Sequence, residues 1–155
     1  MLNLDDDLRQ GLFYGVNSGV LTTMGVLAGL SQVTSNIRIV VVSLLFLCLS
    51  DGLSEGHSMW FSKKAKNTVD DSNKPLIVSV GLILTKILVT LSFLIPLLFV
   101  KDLTIYKNMC FPIIWSIILL LTIDTQLIKL RTKENVIDYL LPQVFIMIII
   151  IGMTL

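Results

Sequence analysis

Charged residues are scarce in this chain of 155 residues, in which Asp, Glu, Lys and Arg together make up 15%. Average soluble domains carry about 25% charge, so the composition excludes an ordinary water-soluble globule. The 12 basic and 11 acidic residues leave a formal net charge of +1. Such a balance argues against a nucleic-acid partner.

Cysteine and histidine are also rare, since the chain has only Cys48, Cys110 and His57. Both cysteines fall inside or at the start of apolar segments, which argues against a disulfide scaffold. The sequence contains no His-Glu-x-x-His, no Gly-x-Ser-x-Gly and no phosphate-binding loop. We therefore expect the protein not to be an enzyme.

Long hydrophobic blocks make up most of the rest. Hydrophobic residues account for 54% of the chain and the mean hydropathy is +0.85. A helix that crosses the hydrocarbon core needs about 20 apolar residues. The sequence therefore predicts an all-α, multi-pass integral membrane protein with one transmembrane domain over residues 1–155, in a vacuolar, other endomembrane or plasma membrane. Its five predicted spans are 11–30, 37–62, 76–100, 108–128 and 136–155.

The basic residues predict the orientation of these spans. Eight Lys and Arg fall on the side of the N-terminus and three on the opposite side, while Lys86 falls within the third span. An excess of basic residues marks the cytoplasmic side. We therefore expect a cytoplasmic N-terminus, with Leu155 on the far side.

Glycines are concentrated in the first predicted span. Small residues at a spacing of three or four let two helices approach closely in lipid. The glycines form a ridge on this helix, and the ridge has two interpretations. It packs against a neighbouring span of the same chain, or it forms the seam of a homodimer, and the pattern favours neither. Its glycines are Gly11, Gly15, Gly19, Gly25 and Gly29.

The second predicted span carries two acidic residues, Asp51 and Glu55. Because they are four residues apart, they share one helix face, and Ser54 and Ser58 lie within about 60° of it. Carboxylates that face acyl chains cost several kcal/mol, so we expect these two to face protein or a wet cavity. Carboxylate oxygens bind hard divalent cations and, as a repelling pair, also hold protons. Asp51 and Glu55 are thus candidate metal ligands that exchange a cation for protons, the alternative being that they only pair with Lys86 or nearby hydroxyls.

Lys86 lies near the middle of the third predicted span. It is predicted either to be the counter-ion of Asp51 or Glu55 or to act as a proton-coupling switch. Asn17 is a further candidate for the pathway, although packing explains it as well. His57 falls about 120° from the two acids on the helical wheel, which favours an interfacial role over metal ligation.

Three stretches resemble the vacuolar iron transporter family. They are Gly15-Val-Asn-Ser-Gly-Val-Leu-Thr-Thr-Met-Gly-Val-Leu-Ala-Gly-Leu30, Leu49-Ser-Asp-Gly-Leu-Ser-Glu-Gly-His-Ser-Met-Trp-Phe-Ser62 and Ser92-Phe-Leu-Ile-Pro-Leu-Leu-Phe99. The resemblance implies a homodimer that moves Fe²⁺ or Mn²⁺ out of the cytosol in exchange for protons, between the first two spans of its two copies. The metal is then cargo, and no permanently bound cofactor is implied.

The chain departs from that family at two positions. Glu55 matches the family's second-span Glu, but Ser18 stands in place of its first-span Asp and Asp51 in place of its second-span Met. In one interpretation Asp51 compensates for the lost acid, with Ser18, Ser54 and Ser58 as secondary oxygen donors, which favours harder ions. In the other the site has decayed, and the protein is a non-transporting scaffold or regulatory subunit. The link 63–74 is also too short for the cytosolic metal-collecting domain of plant and yeast members.

Overall fold

The computed structural model describes residues 6–66, 74–98 and 110–125, together with positions 141–142, 144–146, 148–149 and 152. These residues are almost entirely helical, and those described between 141 and 152 are helical throughout. The helices are α1 (Asp6–Val33), α2 (Ile37–Lys66), α3 (Lys74–Ser92), α4 (Leu94–Leu98) and α5 (Cys110–Leu119), which continues into a π-helical turn (Leu120–Asp124).

Three helices in the described part of the chain are long and apolar enough to cross a membrane, as expected for a multi-pass membrane protein. They cover Leu8–Val33, Ile37–Ala65 and Pro75–Leu97, close to the first three predicted spans. The fourth predicted span, 108–128, corresponds to a shorter apolar helix at Phe111–Ile123. The fifth, 136–155, lies largely outside the described residues, so the count of five stays a prediction.

The link between α1 and α2 is short and is held by local hydrogen bonds. The backbone N–H of Arg38 donates to the Asn36 side-chain oxygen at 3.0 Å, and the backbone N–H of Asn36 donates to the Thr34 hydroxyl at 3.1 Å. Asn36 thereby caps the first turn of α2 and satisfies one of its unpaired N–H groups.

Helix α3 lies between α1 and α2 and packs along both, whereas α1 and α2 contact each other little. The spatial order therefore differs from the chain order. The apolar core forms along this arrangement, with Leu27 of α1, Leu44 of α2 and Phe93 after α3 all fully buried. Large apolar side chains cover the outside, as at Phe46 and Leu88, which suits contact with acyl chains.

The first three glycines of α1 allow its close contact with α3. A Cβ at Gly15 would lie 2.7 Å from the Leu82 carbonyl oxygen, and one at Gly19 would lie 3.2 Å from the Val89 side chain. A Cβ at Gly11 would collide with another backbone carbonyl of α3. At these three positions the glycine ridge therefore packs against α3 of the same chain.

The remaining two glycines of the ridge behave differently. A Cβ at Gly25 or Gly29 would meet no atom of the described residues within 4 Å. The predicted ridge is therefore divided between an intrachain contact and an open surface.

Helix α3 ends where proline interrupts its hydrogen bonding. Pro96 has no N–H to donate to the carbonyl of Ser92, and its ring crowds that carbonyl. The chain turns at Phe93. The N–H of Phe93 donates to the carbonyl of Thr90, three residues earlier, at 3.2 Å. The Trp115 indole N–H donates to the Ser92 hydroxyl at 3.2 Å, which ties α5 to this break.

Candidate functional site

One residue of α1, two of α2 and one of α3 meet in a charge cluster, formed by Ser18, Asp51, Glu55 and Lys86. The Lys86 Nζ lies 2.5 Å from Asp51 Oδ2 and 2.8 Å from Glu55 Oε2, and it donates to Ser18 Oγ at 2.8 Å. The two acids can reach the same ammonium because they lie one turn apart on α2.

Lys86 is the buried centre of the charge cluster. Its side chain is 2% exposed, and an ammonium has three N–H groups to donate. The cluster offers three oxygens at hydrogen-bond distance, although the Asp51 contact is an ion pair without hydrogen-bond geometry. An isolated buried ammonium would be costly, so these contacts are what stabilises Lys86 in its charged form.

Ser18 on α1 connects Glu55 on α2 with Lys86 on α3. Its hydroxyl donates to the Glu55 carboxylate, with distances of 2.8 Å to Oε1 and 2.6 Å to Oε2. The same oxygen accepts from Lys86. Ser18 therefore fixes the Glu55 carboxylate and the ammonium relative to each other.

The cluster carries an excess of negative charge. With Asp51, Glu55 and Lys86 in their charged forms the sum is one negative charge, and the carboxylates are 26% and 27% exposed while the ammonium is covered. Uncompensated charge is unfavourable in a medium of low polarity. The arrangement therefore leaves one negative charge uncompensated among these residues, on carboxylates that are partly exposed.

A glycine follows each of the three oxygen-bearing residues, at Gly19, Gly52 and Gly56. A Cβ at Gly19 would lie 3.5 Å from the Lys86 Cα, and one at Gly56 would collide with the Ile83 side chain. At Gly52 the nearest α3 atom would be 3.9 Å away. The small residues thus let α1 and α2 approach α3 at the level of the cluster.

Neutral polar contacts extend the same seam. The hydroxyls of Thr23 and Thr90 lie 3.2 Å apart, one turn beyond Lys86 on α3. The Cys48 thiol lies 3.8 Å from the Ile87 carbonyl oxygen, as a weak donor. The α3 seam therefore carries polar groups over more than one helical turn.

The donor set of the cluster is limited. Within the described residues no group of three or more His, Cys, Asp and Glu side chains is placed to hold a metal ion. The available oxygens are those of Asp51, Glu55 and Ser18, and all three contact Lys86. In this arrangement the carboxylates hold an ammonium, so a divalent cation would have to take its place.

The other predicted site residues lie elsewhere. The Asn17 amide donates to the Phe13 carbonyl at 3.0 Å, within its own helix. Ser54 and Ser58 are exposed, and the Ser58 hydroxyl donates to the Ser54 carbonyl at 2.9 Å. The helical wheel put both serines near Asp51, but only the acids turn towards α3.

His57 belongs to an aromatic group near the end of α2. Its ring lies 4.9 Å from that of Phe61 and 6.1 Å from that of Trp60, centroid to centroid. The Lys64 ammonium lies 4.6 Å from the centre of the Trp60 ring. Aromatic and basic residues of this kind are typical of the membrane interface.

The sequence predicts Ser18 as a secondary oxygen donor but does not predict its contact with Lys86. In the sequence, a glycine after each oxygen-bearing residue indicates such a contact, because glycine permits a close helix contact beside a polar side chain. Which helices meet there depends on the packing of α3.

Comparison with known proteins gives no match for this chain among family models, curated proteins or solved structures. The resemblance to the vacuolar iron transporter family therefore stays a prediction.

Proposed function

We propose that the protein is a membrane carrier that exports a divalent cation, Fe²⁺ or Mn²⁺, from the cytosol in exchange for protons. Asp51 and Glu55 serve as ligands and proton carriers, and Ser18 adds a neutral oxygen. The observation that carries the proposal is the excess negative charge of the cluster, held by helices long enough to span a membrane. Acids within such helices are usually functional.

The exchange follows from charge balance. Carboxylates bind a divalent cation in their ionised form and release it when protonated. Exchange of one divalent cation for two protons leaves the total charge of the site unchanged. The partly exposed edges of Asp51 and Glu55 offer access for either species.

In this proposal the carrier works as a homodimer, with the pathway between the first two helices of its two copies. Two features support it. Helix α2 is the least buried of the three spanning helices, and the surface at Gly25 and Gly29 is open. A second copy would cover both, together with the exposed carboxylate edges.

The proposal is tested with purified protein in liposomes that have an acidic interior, by following Mn²⁺ uptake and proton release. We expect the Asp51→Asn/Glu55→Gln variant, which keeps the shapes of both side chains, to lose at least about tenfold in Mn²⁺ flux, since it removes both ionisable ligands. Thr90→Val, a change at a neutral polar contact one turn from Lys86, should transport at the wild-type rate. Equal Mn²⁺ entry through wild type and the double variant would refute the proposal.

A second candidate is a non-transporting membrane scaffold or regulatory subunit. The observation in its favour is that Lys86 already pairs with both acids and so joins α2 to α3. This candidate predicts no Mn²⁺ flux and no change of melting temperature with Mn²⁺. It also predicts that Asp51→Asn/Glu55→Gln lowers the melting temperature of the protein.

A further inference from the structure

The Lys86 ammonium occupies the position that a bound cation would take. Three oxygens surround its Nζ atom, at 2.5 Å from Asp51, 2.8 Å from Glu55 and 2.8 Å from Ser18. We call these oxygens, Asp51 Oδ2, Glu55 Oε2 and Ser18 Oγ, the oxygen cage. Oxygen ligands of a Ca²⁺ ion lie at about 2.3–2.6 Å, so an ion of that kind and the ammonium compete for the same space.

Repulsion between the two cations opposes simultaneous occupation as well. The oxygen cage has two negative charges, and the ammonium reduces the sum to one. A divalent cation added beside the ammonium would bring three positive charges against two carboxylates within a few ångströms. Like charges at that distance repel strongly in a medium of low polarity.

The ammonium is attached to α3 by a flexible four-carbon chain. That helix packs along both α1 and α2, and Lys86 is almost fully buried among them. The competitor is therefore part of the protein, and its local concentration at the oxygen cage does not depend on the cation concentration.

We propose that Lys86 is a tethered competitor, which fills the oxygen cage in the absence of cargo and must leave it before a divalent cation binds. This inference rests on the proposed function and specifies how its site is regulated. In their ionised form the carboxylates hold either the ammonium or the cation, so the apparent affinity for the cation is the intrinsic affinity multiplied by the fraction of time that the cage is free. Such weakening would also promote release of the cargo.

The experiment measures Mn²⁺ binding to purified protein in detergent, from the loss of the electron paramagnetic resonance signal of free Mn²⁺. We expect Lys86→Met to bind Mn²⁺ at least about tenfold more tightly than wild type. This factor corresponds to a wild-type cage that is free for less than about a tenth of the time. Lys86→Arg, which keeps the positive charge, should bind as weakly as wild type. Thr90→Val is the matched control on α3 and should also bind as wild type does.

Lys86→Met leaves two carboxylates without their counter-ion, which could prevent folding. Lys86→Met/Asp51→Asn avoids that difficulty because its cluster has the same net charge as wild type, and its matched reference is Asp51→Asn, which lacks the same ligand but keeps Lys86. We expect Lys86→Met/Asp51→Asn to bind Mn²⁺ more tightly than Asp51→Asn does. Equal Mn²⁺ affinity within each folded pair, Lys86→Met against wild type and Lys86→Met/Asp51→Asn against Asp51→Asn, would overturn the inference.

The two proposals fail in distinguishable ways. Tighter Mn²⁺ binding without Lys86, together with no Mn²⁺ flux through wild type in liposomes, supports the tethered competitor and refutes transport. Mn²⁺ flux through wild type, with unchanged affinity after removal of Lys86, supports transport and refutes the competitor.

Discussion

At the scale of single residues, Ser18 is the smallest member of the charge cluster and the one with the most specific geometry. Its hydroxyl donates to Glu55 and accepts from Lys86, so one oxygen links α1 to both other long helices. Hydrogen bonds to charged groups contribute about 1.5–3 kcal/mol. We therefore expect Ser18 to stabilise the fold more than an ordinary helix serine does.

We expect Ser18→Ala to lower the free energy of unfolding by about 1.5 kcal/mol, because it removes a donor from Glu55 and an acceptor from Lys86. Thermal unfolding in detergent, followed by circular dichroism, measures the loss. Ser58→Ala is the matched control, since that exposed hydroxyl only bonds to the Ser54 carbonyl of its own helix. Equal loss in the two variants would show that Ser18 does not hold the cluster together.

At the scale of helices, the close contact of α1 with α3 determines where the cluster forms. A ridge without side chains brings the α1 backbone against α3 at Gly11, Gly15 and Gly19, and Ser18 lies within that segment. Close backbone approach of this kind increases dispersion contacts between helices in lipid. The position of Ser18 beside Lys86 is a consequence of this packing.

We expect Gly15→Ala to destabilise the protein by about 1–3 kcal/mol, as is typical of overpacking. A Cβ there would lie 2.7 Å from a backbone oxygen of Leu82, which cannot move aside as a flexible side chain would. Gly25→Ala makes the same change in the same helix, at a position where a Cβ meets no atom of the described part of the chain within 4 Å, and it should be neutral in the monomer. The comparison uses thermal unfolding, and tolerance of Gly15→Ala with damage from Gly25→Ala would contradict the packing.

At the scale of the whole molecule, the distribution of charge along the helices predicts its direction in the membrane. Lys63 and Lys64 lie in the last turn of α2, near one end of the bundle, whereas Arg38 lies in its first turn, at the other end. The end that is richer in basic residues should face the cytoplasm. The cargo in the proposed exchange would then enter from the α1 N-terminal side.

We expect a cysteine at Lys64 to react with an impermeant thiol reagent from the cytoplasmic side only, and one at Asn36 from the opposite side only. Both positions are exposed, and both variants would be made in a Cys48→Ala/Cys110→Ala background so that no other thiol reacts. Labelling of sealed and permeabilised vesicles distinguishes the sides. Labelling of both positions from one side would show that α2 does not cross the membrane.

Hydropathy and local spacing account for what the sequence determined. The sequence predicts the first three spans close to the bounds of the three long apolar helices, because a helix that crosses lipid must be long and apolar along its whole length. Asp51 and Glu55 were placed on one face because residues four apart on a helix lie over each other. Both features depend only on residues close in the chain.

Only the tertiary structure decided which helices meet. That α3 lies between α1 and α2, and that Ser18 joins Lys86 and Glu55, depends on how each helix is rotated about its axis. Rotation is set by contacts between residues far apart in the chain, such as Gly15 against Leu82 and Gly56 against Ile83. The glycine pattern allowed two partners for α1, and at Gly11, Gly15 and Gly19 packing selected α3 because its backbone fits against that part of the ridge.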